Sequence, residues 1–414
     1  MTEERKKKKQ RTETQVVPTL VHSAAASAGV PVPPSSRLVA KLAADNMAQM
    51  LGMLSLQEGV QLRTVSKVPG NPFVLPENKF PALDSAYMTT REIKAALESD
   101  RALQTLKHSL WRARSLDLMD VHGNSVRLLA RLQLIHLEGL DLLGYSQGDL
   151  TPLATLVKLK KLVMQWYDNG DLAPMSALKD LQLLRLHSYR QGSLTPLASL
   201  AKLQTLELRL YEAGDLSPLA SLAKLQKLDL GYGQGDLRPL SSLVQLHTLD
   251  LGSYTNGDLR PLSTLVQLQT LNLHRYRQGD LAPLATLVRL RTLDLDSYAA
   301  GGVLTPLGKL EQLETLQLGS YPEGDLSALS GMLQLQTLDL RSYRQGDLSP
   351  LAKLPQLWKL NLNRFHQGDL APLTKLVRLK LLQLLIYPFD DEEQLATFRR
   401  ALPANVTILS TLSF

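Results

Sequence analysis

The chain has 414 residues, 46 Lys and Arg against 39 Asp and Glu, and no cysteine. The missing cysteines exclude a disulfide framework, a thiolate zinc site and a cysteine nucleophile. Part of the net charge of +7 sits in one run, Arg5, Lys6, Lys7, Lys8, Lys9 and Arg11, so the basic balance describes a tail rather than a nucleic-acid surface.

Residues 1–35 are polar, basic and rich in Ala, Pro and Ser, which predicts a disordered tail. Its basic run fits a nuclear import signal as well as it fits a solvated segment. The apolar run Val16–Val21 contains Pro18 and stands apart from the charges, which argues against a secretory leader. Residues 36–85 read as an amphipathic helix and a linker. Leu38, Leu42, Met47, Met50, Leu51 and Leu54 supply the apolar positions between Ser36 and Leu56, and Pro69–Pro81 is irregular. Residues 86–136 read as a helical N-terminal cap with a degenerate first repeat. Thr90 starts a helix bearing Ile93, Ala96, Leu97, Leu103 and Leu106, and Leu116-Asp117-Leu118 alternates like a strand. Residues 137–387 form a repeat array. Residues 388–414 cap it with a helix over Glu393–Leu402 and a strand at Val406–Leu409. No stretch approaches roughly eighteen uninterrupted apolar residues, so no membrane-spanning helix is expected.

The array is read from its columns. Tyr145, Tyr167, Tyr189, Tyr211, Tyr232, Tyr254, Tyr276, Tyr298, Tyr321, Tyr343, Phe365 and Tyr387 recur every 22 residues, with one step of 21 before Tyr232 and one of 23 before Tyr321. Gly follows three residues later in most units, then Asp, and Pro recurs from Pro152 to Pro372 with Ala328 as the exception. The unit is L-x-x-L-x-L-x-x-Y-x-x-G-D-L-x-P-L-x-x-L-x-x. In the copy beginning at Leu203, the alternation Leu206-Glu207-Leu208 predicts a short strand with leucines inward and Thr205, Glu207 and Arg209 outward. Gly214 lets the chain leave the strand sharply. Asp215 accepts from the free N–H groups of the next segment, and Pro218 falls in a first turn where no donor is needed. Leu219 and Leu222 then face inward from a short helical turn. No unit buries its leucines alone, so the units must stack.

This pattern resembles the 22-residue leucine-rich repeats of internalins and of a regulatory subunit of type 1 protein phosphatase, over about residues 113–400. The resemblance implies an α/β fold: a curved, right-handed leucine-rich-repeat solenoid with a parallel β-sheet on the concave face and short helical turns on the convex face. It also implies an interaction protein. Two columns depart from the family: Tyr replaces the Asn that bonds to the turn backbone, and the apolar residue two places later is usually Gln or Asn. No partner specificity is carried over on that account.

The concave strand columns are the candidate partner-binding surface. The central column includes Arg185, Glu207, Asp229, Asp250, Asn272, Asp294, Asp339 and Asn361, and the next outward column adds His187, Arg209, His274 and Arg341. The acidic bias of the central column suits a protein partner with a basic surface, against the alternative of a solvated strand face. The Tyr column is expected to stack into a structural ladder. No phosphate-binding Gly loop, His-Glu-x-x-His or Gly-x-Ser-x-Gly occurs, and His187 and His274 stand four units apart, roughly 19 Å at the sheet spacing. The expectation is therefore a scaffold or regulatory adaptor rather than an enzyme, with no cofactor, metal or small-molecule substrate, placed in the cytoplasm or nucleus. The alternatives are an internalin-like adhesin or secreted effector recognising a host protein, and nucleic-acid binding through the basic tail.

Overall fold

The computed structural model describes residues 85–409 apart from 89, 111–112, 120–123, 146–147, 166, 169, 256, 277–278, 299–302, 322–324 and 386–391. The basic run Arg5–Arg11, the 36–56 helix and the 69–81 linker lie outside the described residues.

Among the described residues fifteen strands, β1 (Ser85–Met88) through β15 (Thr407–Leu409), form one parallel sheet in chain order. Neighbouring strands pair in register from unit to unit, so each column of the sequence becomes a row across the sheet. β2 (Ser115–Met119) to β5 (Leu183–His187) have five residues each, and β6 (Thr205–Glu207) to β14 (Leu381–Gln383) have three. The leucines fill the space between this sheet and the turns behind it. In one unit Leu203, Leu206, Leu208, Leu216, Leu219 and Leu222 are all at most 1% exposed.

The short helical turns are 3-10 helices of five residues, such as Ser217–Ser221. The N–H of Leu219 bonds to the carbonyl of Leu216 at 2.9 Å, and that of Leu222 to Leu219 at 2.9 Å. Pro218 sits where no donor is needed. Asp215 does its work one residue outside the turn. Leu216 holds the cap position without a side-chain bond, while Asp215 Oδ1 accepts the N–H of Ser217 at 3.0 Å. From Ser199 to Thr286 a row of hydroxyls binds the turns to the preceding unit: Ser221, Thr264 and Thr286 donate to the carbonyls of Ala198, Ser241 and Ser263 at 2.9, 2.8 and 2.9 Å.

The Tyr column is a ladder. Rings stack nearly parallel, 5.8–6.4 Å apart, in runs Tyr145–Tyr167–Tyr189–Tyr211, Tyr254–Tyr276–Tyr298 and Tyr321–Tyr343–Phe365. The hydroxyls tie the loops together: Tyr167, Tyr189, Tyr211, Tyr276 and Tyr298 each donate to the Gly carbonyl 19 residues earlier. Tyr therefore serves the loop backbone from the place where the resembling family has Asn.

Tyr232 does not belong to the ladder. Measured from the strand, Gly233 occupies the Tyr position of the 21-residue unit, and Tyr232 is displaced into the left-handed strand exit (φ 62°), 56% exposed. In the next unit Tyr254 makes no bond to the Gly carbonyl 19 residues earlier. Its hydroxyl is buried without a hydrogen-bond partner among the described residues.

At the N-terminal side, the helix expected from Thr90 is two helices, α1 (Thr90–Glu98) and α2 (Asp100–Leu110), broken at Ser99. β1 precedes the strand expected at Leu116 and pairs with it. The segment between β2 and β3 (Gly139–Leu143) contains a full α-helix, α3 (Asn124–Leu132), instead of a short turn. At the other end α4 (Glu392–Ala401) precedes β15.

Candidate partner-binding face

Strand pairing brings the central column together as read from the sequence: Arg185, Glu207, Asp229, Asp250, Asn272 and Asp294 are successive partners, and Asp339 faces Asn361. These side chains are not all presented to solvent. Glu207, Asp229 and Asn361 are buried, as is Asp296 in the outer column. Strand alternation turns these side chains outward, and their neighbours close over them.

The acidic bias has a backbone cause. Oδ1 of Asp229, Asp250, Asn272, Asp294, Asp339 and Asn361 accepts the N–H two residues on, at 3.0, 2.8, 2.8, 2.8, 2.9 and 3.1 Å. The residue after that turn is left-handed at Tyr232, Ser253, Arg275, Ser297, Ser342 and Arg364 (φ 56–70°). A short side chain with an acceptor oxygen holds the chain in this otherwise costly exit. Asp141, on the longer β3, makes no such bond, and its Oδ1 is buried without a partner among the described residues. Burial raises its pKa, with the charge of Asp117 adding to the effect.

Two ion networks organise the face. Glu207 lies 2.8 Å from both Lys227 and Arg185 and 3.5 Å from His187, and Arg209 Nε is 2.7 Å from Asp229. Burial pushes the Glu207 carboxyl up, but the bond and charge of Lys227, with Arg185, outweigh it and hold the group below its ordinary range. In the second network Arg341 reaches Asp296 at 2.8 Å and Asp339 at 3.4 Å, and His274 stands 3.7 Å from Asp296. Arg341 crosses a whole unit to do this. A Cβ on Gly319 would lie 2.5 Å from Arg341 Nε and 2.7 Å from Asp296 Oδ1, so the missing side chain opens the path. In both networks the cations are the outermost groups, with side-chain exposures of 39–52% for Arg185, Arg209, Lys227 and Arg341.

Asp141, Asp250 and Asp294 have no cation within 4.0 Å among the described residues. Burial raises the pKa of Asp294 despite its bond from the N–H of Asp296. Among the described residues no group of three or more His, Asp or Glu side chains is placed to hold a metal ion, and no helix is long and apolar enough to cross a membrane. A shallow groove bordered by Trp358, Val377, Arg378, Lys380 and Pro403 lies off the strand columns, beside the last units.

Among solved structures, the chain is similar to an internalin from Listeria monocytogenes, with 25% identity and a TM-score of 0.64 over 78% of this chain and 94% of that one. It is similar in fold to a leucine-rich-repeat protein of Leptospira interrogans (17% identity, TM-score 0.53, 73% and 91% covered). The same holds for the leucine-rich-repeat ectodomain of a plant membrane receptor kinase from Arabidopsis thaliana, in complex with Casparian strip integrity factor 2 (21% identity, TM-score 0.50, 74% and 42% covered). No protein-family model and no curated protein matches the chain. The single parallel ladder, its inward leucines and the likeness spanning 94% of the internalin give this chain the leucine-rich-repeat solenoid fold.

Proposed function

We propose that the chain is a protein-binding scaffold or regulatory adaptor that engages its partner along the concave strand face between Arg185 and Asn361. The observation that carries the reading is a division of labour among columns. The Leu, Tyr, Pro and turn Asp columns barely change from unit to unit, while the outermost strand column differs at almost every step, from His187 and Arg209 through Gly252, His274 and Asp296 to Arg341. A surface that is fixed by internal bonds yet different at each unit suits recognition of one extended partner. The receptor ectodomain of like fold, solved with Casparian strip integrity factor 2, lends support to a bound protein or peptide. Arg185, His187, Glu207, Arg209, Asp229, Asp250, Asn272, His274, Asp294, Asp339, Arg341 and Asn361 are the proposed contact zone. The buried carboxylates act there by positioning Arg185, Arg209 and Arg341.

The test replaces Thr248, Thr270 and Thr292 with Arg together. Lys227 and Lys359 occupy the same column, so a long cationic side chain fits there. The control places Arg at Val244, Val266 and Val288, exposed residues of the turns that precede the strands. A partner captured by the native chain and the control, but lost by the concave variant with unchanged melting, supports the reading. Equal capture by all three overturns it.

A second reading, an internalin-like adhesin or secreted effector, is favoured by the 94% coverage of the Listeria internalin. It predicts the chain in culture medium, where the adaptor reading predicts it in the cytoplasm or nucleus. Fractionation with an antibody separates the two.

A further inference from the structure

The side chains that stand just before the strands carry one anomaly. From Arg114 before β2 to Lys380 before β14, that position is polar in every unit except at Trp358, which precedes β13 (Lys359–Asn361). Core packing does not require an indole there, because Trp358 is 39% exposed. Its backbone is held on both sides. The carbonyl of Gln336 accepts the N–H groups of Trp358 and Lys359 at 3.0 and 3.1 Å, and the carbonyl of Trp358 accepts those of Lys380 and Leu381 at 2.8 and 3.0 Å. Gln336, Trp358 and Lys380 therefore follow one another across the units at the strand spacing, about 4.8 Å.

Trp358 lines a groove of about 650 Å³ between the last two units and the 403–405 turn of the C-terminal cap. Its lining is amphipathic. Trp358, Pro403 and Val377, the last 74% exposed, form the apolar part, and Gln336, Gln356 and Asn405 add amides. Arg378 and Lys380 are exposed cations of the same lining, and among the described residues no carboxylate joins them. Arg378 donates only to the neutral amide of Gln356. The surrounding charge has the same sign: residues 351–385 hold six Lys and Arg against the single Asp369.

This combination selects an occupant. Two cations without an acid, beside an exposed indole, suit a chain that carries carboxylates next to a large apolar side chain. The run Arg5–Arg11 of this chain shares the sign of the groove and does not complement it. A nucleic acid, with a charge on every phosphate, is matched by only two cations in the lining, whereas the three amides offer donors and acceptors to a peptide backbone.

We propose that this groove is a second docking site, separate from the concave face, for an acidic extended segment of a protein partner. An aromatic or large aliphatic side chain of the segment covers Trp358 and Val377, and neighbouring Asp or Glu carboxylates meet Arg378 and Lys380. The proposal does not depend on the concave-face reading.

The test pans the full chain against a displayed library of random short peptides, then titrates the enriched peptides, fluorescently labelled, by polarisation. A labelled oligodeoxythymidine is titrated in parallel. The variants are Trp358→Gln and the pair Arg378→Gln with Lys380→Gln. Gln336 already occupies the row of Trp358 and Lys380, and Gln356 that of Arg378, so all three substitutions suit the fold. The expected result is enrichment of peptides with paired Asp or Glu beside Phe, Trp or Leu. Trp358→Gln should weaken their binding roughly tenfold. The double variant should weaken it roughly three- to tenfold and flatten its salt dependence. The concave three-Thr variant should bind them as the native chain does. Failure to enrich acidic peptides, equal binding by the Gln variants, or loss of binding in the three-Thr variant overturns the proposal. Tighter binding of the oligonucleotide, with the same dependence on Trp358, Arg378 and Lys380, overturns the peptide assignment in favour of a nucleic acid.

Discussion

Removing one hydroxyl from the Tyr ladder should have opposite effects at two positions. Tyr189 is 1% exposed, stacks 6.2 Å from both Tyr167 and Tyr211, and donates to the carbonyl of Gly170 at 3.0 Å. Tyr189→Phe keeps the ring and removes that donor, which costs about 1 kcal/mol. Tyr254 is equally buried and stacks 6.4 Å from Tyr276, but its hydroxyl has no partner among the described residues. Tyr254→Phe removes an unsatisfied polar group and should stabilise by about 1 kcal/mol. The Ala variants lose the ring at both places and should cost about 3–5 kcal/mol each. Urea unfolding followed by circular dichroism reads all four, and the wild-type slope checks that the array still unfolds as one unit. A destabilising Tyr254→Phe equal to Tyr189→Phe would refute the argument that the 21-residue unit strands one hydroxyl.

Gly319→Ala should lower stability by about 1 kcal/mol by pushing Arg341 off Asp296. The effect should shrink in an Arg341→Gln background, leaving only the contact of the new methyl with Asp296, and a double-mutant cycle measures the difference. The turn carboxylates of Asp149, Asp215, Asp325 and Asp347 are held below their ordinary pKa by the side-chain hydroxyl two residues on and then by its backbone N–H. Their folded pKa lies below the unfolded one, so their stabilisation is present above the unfolded value and is lost as pH falls through the folded one. Asp215→Ser should flatten that acid limb in urea midpoints taken from neutral to low pH, because Ser193 already makes the same backbone bond at 3.1 Å. Asp294 has the opposite sign. Its raised pKa means stability is present below the unfolded value and lost as pH rises through the folded one, so Asp294→Asn should raise the melting temperature at neutral pH.

The repeat made much of this fold legible, because a solenoid turns every sequence column into one row of contacts. The strand leucines, the Pro turn, the Asp that serves it and the stacked tyrosines all follow from spacing alone. The 21-residue step was legible too, but not its consequence. Counting from Tyr to Tyr aligns Tyr232 with the ladder, whereas counting from the strand leucine Leu230 places Gly233 there. The acidic row was visible and its cause was not. An outward Asp in an alternating strand reads as solvated until the next N–H but one is seen to lack a strand partner. Contacts that cross units, such as Arg341 over Gly319 to Asp296, depend on side-chain reach and leave only a weak signal, a Gly among larger residues in one column. The helical segment between β2 and β3 was missed because its apolar spacing resembles a degraded repeat.

The central claim is that the concave strand face carries the partner. Hydroxyl-radical footprinting of the chain alone and in complex with its captured partner tests it most directly. The account predicts protection of His187, Tyr232 and His274 with Val244, Val266 and Val288 unchanged. Protection of the three valines with the strand-face residues unchanged would contradict it.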